Sequence, residues 1–311
     1  MTTKNTTITV SVAGSQNYLP VSKTIDVSVI TSLTLADLPD GAKVKAVGSK
    51  FYGKDLIFRK LGAGHSQDPA DSVILQTNDI ISLRCFDAKE PNNSDLNRPL
   101  WGNNRYLYSN LLQWMNSDAG ANAWYTAQHS ADQKPDSANV GGYYKDIAAN
   151  PYDTQAGFMN DFTADFKNSL LTVSKRTVKP NIDGGGYEDV QSKFFLLSTT
   201  EVGLANENNI AEGELYSLFS DATKRIMVAT QECADNSVGY AITAGSARHW
   251  WLRTPKSSSS DDVWCVYPNG NLINVTPNLG IIGLAPACAL SKDQKVSVSV
   301  DSDGCYVLLY D

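Results

Sequence analysis

From residue 6 to residue 34 the chain alternates β-branched and polar side chains, as in Ile8-Thr9-Val10-Ser11-Val12 and Ile25-Asp26-Val27-Ser28-Val29, with Gly14-Ser15-Gln16-Asn17 between the runs. A period of two interrupted by turn residues predicts a short β-rich segment over residues 1–32. A turn follows over residues 35–41. Short apolar runs at residues 43–47, 56–61, 73–76 and 80–86 are strand candidates, so a larger domain is expected over residues 33–311.

The period then changes. Ser109 stands before Leu111, Leu112 and Met115, a cap followed by one apolar helical face. Phe158, Phe162, Phe166 and Leu170 recur every four residues and predict a second helix with a stripe of rings. A third, short helix is expected over residues 210–219 from Leu215, Leu218 and Phe219. Between these, Pro180 and Gly184-Gly185-Gly186 require a loop. Phe194-Phe195-Leu196-Leu197 reads as a buried strand. Val263-Trp264-Cys265-Val266-Tyr267 and Leu272-Ile273-Asn274-Val275 flank Asn269-Gly270, a strong hairpin signal. The chain closes with alternating Val296, Val298 and Val300, a turn at Asp301-Ser302-Asp303-Gly304, and a returning strand over residues 305–310.

Composition narrows the function classes. Of 311 residues, 42% are hydrophobic and only 19% charged, which excludes disorder along the whole length and leaves a surface rich in Asn, Ser, Thr, Gly and Tyr, as in adaptable binding surfaces. The formal net charge of −7 opposes binding to phosphate backbones, so nucleic acid is not an expected partner. No apolar run reaches the roughly 20 residues of a membrane-spanning helix, and Met1 to Asn5 is polar. The expectation is a soluble product made in the bacterial cytoplasm, without membrane insertion. Cys85, Cys233, Cys265, Cys288 and Cys305 lie far apart and read as reduced, buried residues.

Candidate chemistry is sparse. His65, His129 and His249 are more than sixty residues apart, with no metal-ligand spacing. Asp301 and Asp303 resemble the start of a calcium loop, but the ligands that should follow are missing, which favours a tight turn. Asp87, Glu90 and Asp95 could hold a metal or act as an acid/base pair, yet loop carboxylates are usually solvated or cap helices. Nucleophile elbows, phosphate-binding glycine loops and dinucleotide fingerprints are absent from the sequence. No catalytic residue, metal site or cofactor is assigned, and the expectation is a protein that is not an enzyme.

Several runs carry a resemblance: Phe86-Asp87-Ala88-Lys89-Glu90, Trp101-Gly102-Asn103-Asn104-Arg105-Tyr106, Gln113-Trp114-Met115-Asn116-Ser117, Trp124-Tyr125, Gln128-His129-Ser130-Ala131-Asp132, Phe195 to Leu204, Ile210-Ala211-Glu212-Gly213 and Trp251-Leu252-Arg253-Thr254-Pro255. Together they resemble the C-type-lectin-like domains of phage tail receptor-binding proteins and of the variable proteins of diversity-generating retroelements, over roughly residues 33–310. The closing motif departs from that family at Gly283-Leu284-Ala285-Pro286-Ala287-Cys288, where Ala285 replaces an Arg.

The resemblance implies an α+β fold, a C-type-lectin-like domain with a short β-rich N-terminal segment. It implies recognition of a host-surface protein or glycan by a phage or prophage protein carried on the virion. Its binding surface would lie between Trp251 and Pro286, the region rewritten at adenine positions in retroelement targets, with Ser257, Ser258, Ser259, Ser260, Asp261, Asp262, Tyr267, Asn271, Asn274, Thr276 and Asn278 as ligand-binding residues. Residues 101–106 and 194–203 would be scaffold. The N-terminal segment would attach to a tail or other virion protein, or to sister chains in a homo-oligomer such as a trimer. Two alternatives accompany this reading: a static tail or capsid decoration protein, and an oxidase of the formylglycine-generating type, for which Cys265 and Cys288 are the only plausible pair. Calcium binding stays open.

Overall fold

The computed structural model describes residues 2–14, 16, 18–143, 147–207 and 211–310. Its strands, in chain order, are β1 (Thr2–Val12), β2 (Val21–Thr34), β3 (Lys43–Phe51), β4 (Lys54–Ala63), β5 (Ser72–Thr77), β6 (Ser82–Arg84), β7 (Val173–Val178), β8 (Tyr187–Ser192) and β9 (Phe194–Phe195). They continue as β10 (Met227–Val228), β11 (Ala247–Arg248), β12 (Trp250–Pro255), β13 (Val263–Val266), β14 (Leu272–Val275), β15 (Ile282–Leu284), β16 (Ala287–Ser291), β17 (Lys295–Val296) and β18 (Tyr306–Val307). Among the described residues the α-helices are short: α1 (Arg98–Trp101), α2 (Asn110–Met115), α3 (Ala164–Ser169) and α4 (Gln231–Asp235).

Two sheets build the body. One has six strands in the order β18-β3-β4-β5-β16-β9, and the other five in the order β14-β13-β12-β15-β6. The second is buried on both faces at its centre. Trp251 points into a core with Phe86, Trp114 and Phe158, whereas its neighbours Trp250 and Leu252 point into a second core with Phe195, Tyr216 and Phe219. The alternation of side chains along a strand makes this unavoidable once both faces are covered. Each indole N–H is satisfied by a carbonyl, Trp250 Nε1 donating to Arg225 at 2.9 Å and Trp251 Nε1 to Arg84 at 2.8 Å. At Gly283, on β15, a Cβ would stand 2.5 Å from the His249 carbonyl oxygen, so only glycine allows the parallel approach of β15 to β12.

The α+β, C-type-lectin-like expectation is overturned. The chain is mostly β, with 34% strand and 13% helix, arranged as sheets and a half-barrel. The missing helix is where ring spacing suggested it. Phe158 and Phe162 lie in turns, and helix starts only at Ala164, where the Thr163 side chain accepts from Phe166 N–H. The rings still meet, Phe158 to Phe162 at 5.0 Å and Phe162 to Phe166 at 5.6 Å, and all three pack on Phe194. Periodicity reported the core correctly and the backbone wrongly. Likewise the helix expected over 210–219 reduces to a 3-10 turn at Ser217–Ser220, since Gly213 sits at φ +96°; its first residue, Ile210, lies outside the described residues.

Other expectations hold. β3, β4 and β5 cover the strands predicted at 43–47, 56–61 and 73–76, the one predicted at 80–86 shortens to β6, Ser109 caps α2 by accepting from Leu112 N–H, and β13 pairs with β14 across a turn with Gly270 at φ +85°. All five cysteines are free and buried. At the N-terminus β1 and β2 form one long antiparallel hairpin. The expected boundary at residues 32/33 falls inside β2, whose last residues Leu33 and Thr34 pair with Val296 and Lys295 of β17. No helix among the described residues is long and apolar enough to cross a membrane.

Candidate functional site

The loop between β12 and β13, residues 256–262, forms one wall of a depression of about 330 Å³, whose other walls are Asp95, Asn97, Asn181 and Ile182. The loop is held by its main chain. Asn104, fully buried, donates from Nδ2 to the carbonyl oxygens of Lys256 (3.3 Å), Ser259 (2.9 Å) and Asp262 (3.0 Å). Arg98 donates from Nε to the Ser260 carbonyl at 3.1 Å, while its other two nitrogens grip Asp183 at 2.9 and 2.6 Å. Asn181 N–H donates to the Ser257 carbonyl at 2.9 Å, and Lys256 N–H to that of Asp262 at 2.9 Å. A bidentate Arg–carboxylate pair and a buried amide thus fix the loop through backbone atoms that every residue possesses.

The predicted ligand-binding residues divide into groups. Ser257, Ser258, Ser259, Ser260 and Asp262 line the depression, but only Ser258 is exposed. Ser257 and Ser260 are buried; the Ser260 hydroxyl donates to Asp95 Oδ1 at 2.7 Å and accepts from Asn97 Nδ2 at 3.3 Å, which locks the loop to the segment before α1. Asp261 accepts from the Ser259 hydroxyl at 2.5 Å. Tyr267 and Asn271 are exposed at the turn of the β13–β14 hairpin, the opposite end of β13 from the loop, and Tyr267 stacks edge-on against His249. Asn274 and Thr276 are half-buried along and after the edge strand β14, Asn274 opposite Trp264. Asn278 is buried, its N–H donating to the Trp101 carbonyl and its own carbonyl accepting from Gly141 N–H. Display at Ser257, Ser260 and Asn278 is therefore corrected: these three hold the scaffold, and the eleven residues do not form one surface.

A buried polar cluster anchors the segment that supplies Asp95 and Asn97. Asp87 accepts the backbone N–H of Asn103 and of Asn110, each at 3.0 Å. Glu90 lies 2.9 Å from His129 Nε2 and accepts from Asn93 and Asn103 side chains. Asp132 accepts from Asn110 Nδ2 at 3.1 Å and Gln128 N–H at 2.7 Å. Burial, reinforced by Glu90 and Asp132, raises the Asp87 carboxyl well above its ordinary value, and burial raises Asp132 too. Contact with Glu90 raises the His129 imidazole. Glu90, His129 and Asp132 each offer one ligand atom within 4.8 Å of the others, a donor set that suits a divalent cation. Each carboxylate there also accepts a protein N–H, which makes the cluster a loop anchor. His129 and Asp132 carried no chemical expectation because their side-chain partners Glu90 and Asn110 lie 39 and 22 residues away in sequence.

A second buried network lies under β12 and joins the resembling runs at 195–204, 211–213 and 251–255. Glu201 bridges Lys175 (2.9 Å) and Arg253 (2.5 Å), Lys175 also pairs with Asp68, and Tyr216 donates to Asp68 at 2.9 Å. Burial alone would raise the Glu201 carboxyl, but Arg253 and Lys175 outweigh it and bring it down to about 2. Glu212 accepts from Val178 N–H and from the Thr254 hydroxyl, and burial raises its carboxyl.

The remaining candidates resolve simply. Asp301 and Asp303 both pair with Lys45 across the closing turn, which uses the carboxylates that suggested calcium. Burial pushes the Cys265 and Cys288 thiols far up, disfavouring the thiolate that copper or redox chemistry would need.

Residues 70–292 match the family model described as Domain of unknown function (DUF6273). No curated protein and no solved structure matches the chain.

Proposed function

The chain belongs to the DUF6273 family, and from that premise we propose that it is a ligand-recognition protein whose binding site is the depression between the 256–262 loop and residues 95–97 and 181–182. The observation that carries this reading is the main-chain clamp. Asn104 and Arg98 fix the loop through carbonyl oxygens, so the exposed Ser258 side chain at the rim is released from structural duty and can change with little cost to folding, whereas Ser257 and Ser260 stay buried in the loop's support. The rim offers hydroxyl, amide and carboxylate groups beside Lys256 and the exposed apolar Ile182. That mixture suits a polar, hydroxyl-rich ligand such as a surface glycan, and the volume is at the lower end of small-ligand sites. Weak single-site binding would then be strengthened by multivalent display. Receptor recognition by a phage or prophage protein, with this loop as the variable element, is the biological setting in which such a clamp is useful. A static tail or decoration protein is the second reading, favoured by the exposed Ile8, Val10, Val12, Val21 and Ile25 of the N-terminal hairpin.

The test is to label the full chain and measure binding to whole bacterial cells and to arrays of bacterial surface glycans, for the unaltered protein and for Ser258→Trp, which fills the depression from an exposed position. Binding that disappears in the variant at an unchanged melting temperature supports the proposal. Binding that is indifferent to Ser258→Trp places recognition elsewhere, and absence of binding to any cell or glycan favours the structural role.

A further inference from the structure

The β1–β2 hairpin is sharply two-sided. Its strands pair in register from Thr3 opposite Ile30 to Val12 opposite Val21, and residues directly opposite share a face. One face carries Thr7, Thr9 and Ser11 against Asp26, Thr24 and Ser22, with Thr7 donating to Asp26 at 2.9 Å and the Ser11 and Ser22 hydroxyls 3.0 Å apart. That face is finished in water. The other carries Ile8, Val10, Val12, Val21 and Ile25, which are 51, 56, 62, 67 and 50% exposed. Lys23 is the one charged side chain between Ile8 and Val12 on that face.

We propose that this arm is a self-association element, in which two copies of the chain pack their aliphatic hairpin faces against each other. A two-stranded hairpin is marginal in water by itself, and a flat row of β-branched residues gains most from a second sheet about 10 Å away. The five side chains expose on the order of 500 Å² per copy, so a face-to-face pair removes about 1,000 Å² from water, the lower limit of a specific interface. A second copy is the occupant because it supplies an equal aliphatic face of the same length. Two such faces together reach that limit, and Lys23, opposite Val10, can carry its ammonium past the edge of the two-stranded ribbon to water. The arm is rooted in the body through Leu33 and Val296, both in the first core, and lies outside the matched residues 70–292. Pairing through it would present two depressions together without changing either.

The experiment is sedimentation equilibrium of the full chain beside the variant Ile8→Thr/Val10→Thr/Val12→Thr, in which threonine keeps the strand propensity and removes the apolar face. The expected result is a mass of two chains for the unaltered protein and one chain for the variant, with the same melting temperature for the body. A single-chain mass for the unaltered protein, or an assembly that persists in the variant, overturns the proposal. Should the variant melt early, Val10→Cys decides instead, because Val10 is at the centre of the face and the five native cysteines are buried. A disulfide-linked pair under mild oxidant supports self-association, and single chains overturn it.

Discussion

The side-chain amide of Asn104 holds the carbonyl oxygen of Asp262 at 3.0 Å while also reaching those of Ser259 and Lys256. Two N–H groups are shared among three carbonyls, and no loop side chain takes part. Asn104→Ala should therefore cost about 2–3 kcal/mol, since it strands buried acceptors without replacing the donor. Asn104→Asp should cost more, because a carboxylate would face the same carbonyls with nothing to donate. Chemical denaturation of both variants measures the difference. Equal stability of the alanine variant and the unaltered chain would show that the loop does not depend on this clamp.

Within the loop, Ser258 and Ser260, two positions apart, should behave oppositely. Ser258 is exposed, so Ser258→Ala should change stability by less than about 0.5 kcal/mol. Ser260 is buried between Asp95 and Asn97, and Ser260→Ala should cost about 1–2 kcal/mol. Tyr267→Ala and Asn271→Ala, at the exposed hairpin turn, should resemble Ser258→Ala in stability and leave glycan binding at the depression intact. Loss of binding on changing Tyr267 would mean that the site extends along the hairpin.

These contrasts mark what was legible in the sequence. Strand alternation and the Asn269-Gly270 turn located the sheets and the β13–β14 hairpin, because both are local signals. Helix content was overread because Phe158, Phe162 and Phe166 satisfy a helical period while only Phe166 is helical; a shared contact with Phe194 imposes the same spacing on turns. The loop 256–262 is read as part of a recognition segment from the resemblance over Trp251 to Pro286, and neither that nor its Ser-Asp composition distinguishes Ser258 from Ser260. The distinction is made by Asp95, Asn97 and Asn104, more than 150 residues away, and by Asn181 and Ile182, which read only as part of a glycine-rich turn.

The network under β12 predicts an acid limb of stability. Glu201 has its carboxyl depressed to about 2 from an ordinary 4.5 by Arg253 and Lys175, against burial. A depressed carboxyl stabilises the fold above its ordinary value and loses that contribution as pH falls through 4.5 toward 2. Glu201→Gln should flatten this limb and destabilise the chain at neutral pH, since Arg253 and Lys175 lose their shared partner. Arg253→Met should be as damaging, at about 3–5 kcal/mol, the usual cost of breaking one side of a buried ion pair. Urea melts between about pH 3 and pH 7 check both; an acid limb unchanged in Glu201→Gln would assign it to other carboxyls.

The cluster around His129 predicts the opposite dependence. Contact with Glu90 raises the His129 imidazole above its ordinary 6.5, so its stabilisation is complete below that pH and is lost as pH rises through the raised value. Asp87 and Asp132 act in the same sense: both are raised by burial, so ionising them costs the folded state more than the unfolded one. Arg98, also facing the imidazole, opposes its protonation. The segment tied down by Glu90 includes Asp95 and Asn97, so its loosening should reach the depression. Hydrogen exchange of residues 90–105 is expected to be slower near about pH 6 than near about pH 8.5 once the intrinsic pH dependence is divided out. His129→Gln should remove that difference while leaving exchange in β12 unchanged. If the variant keeps the full pH difference, His129 is not what holds this segment, and the buried carboxylates alone account for its anchoring.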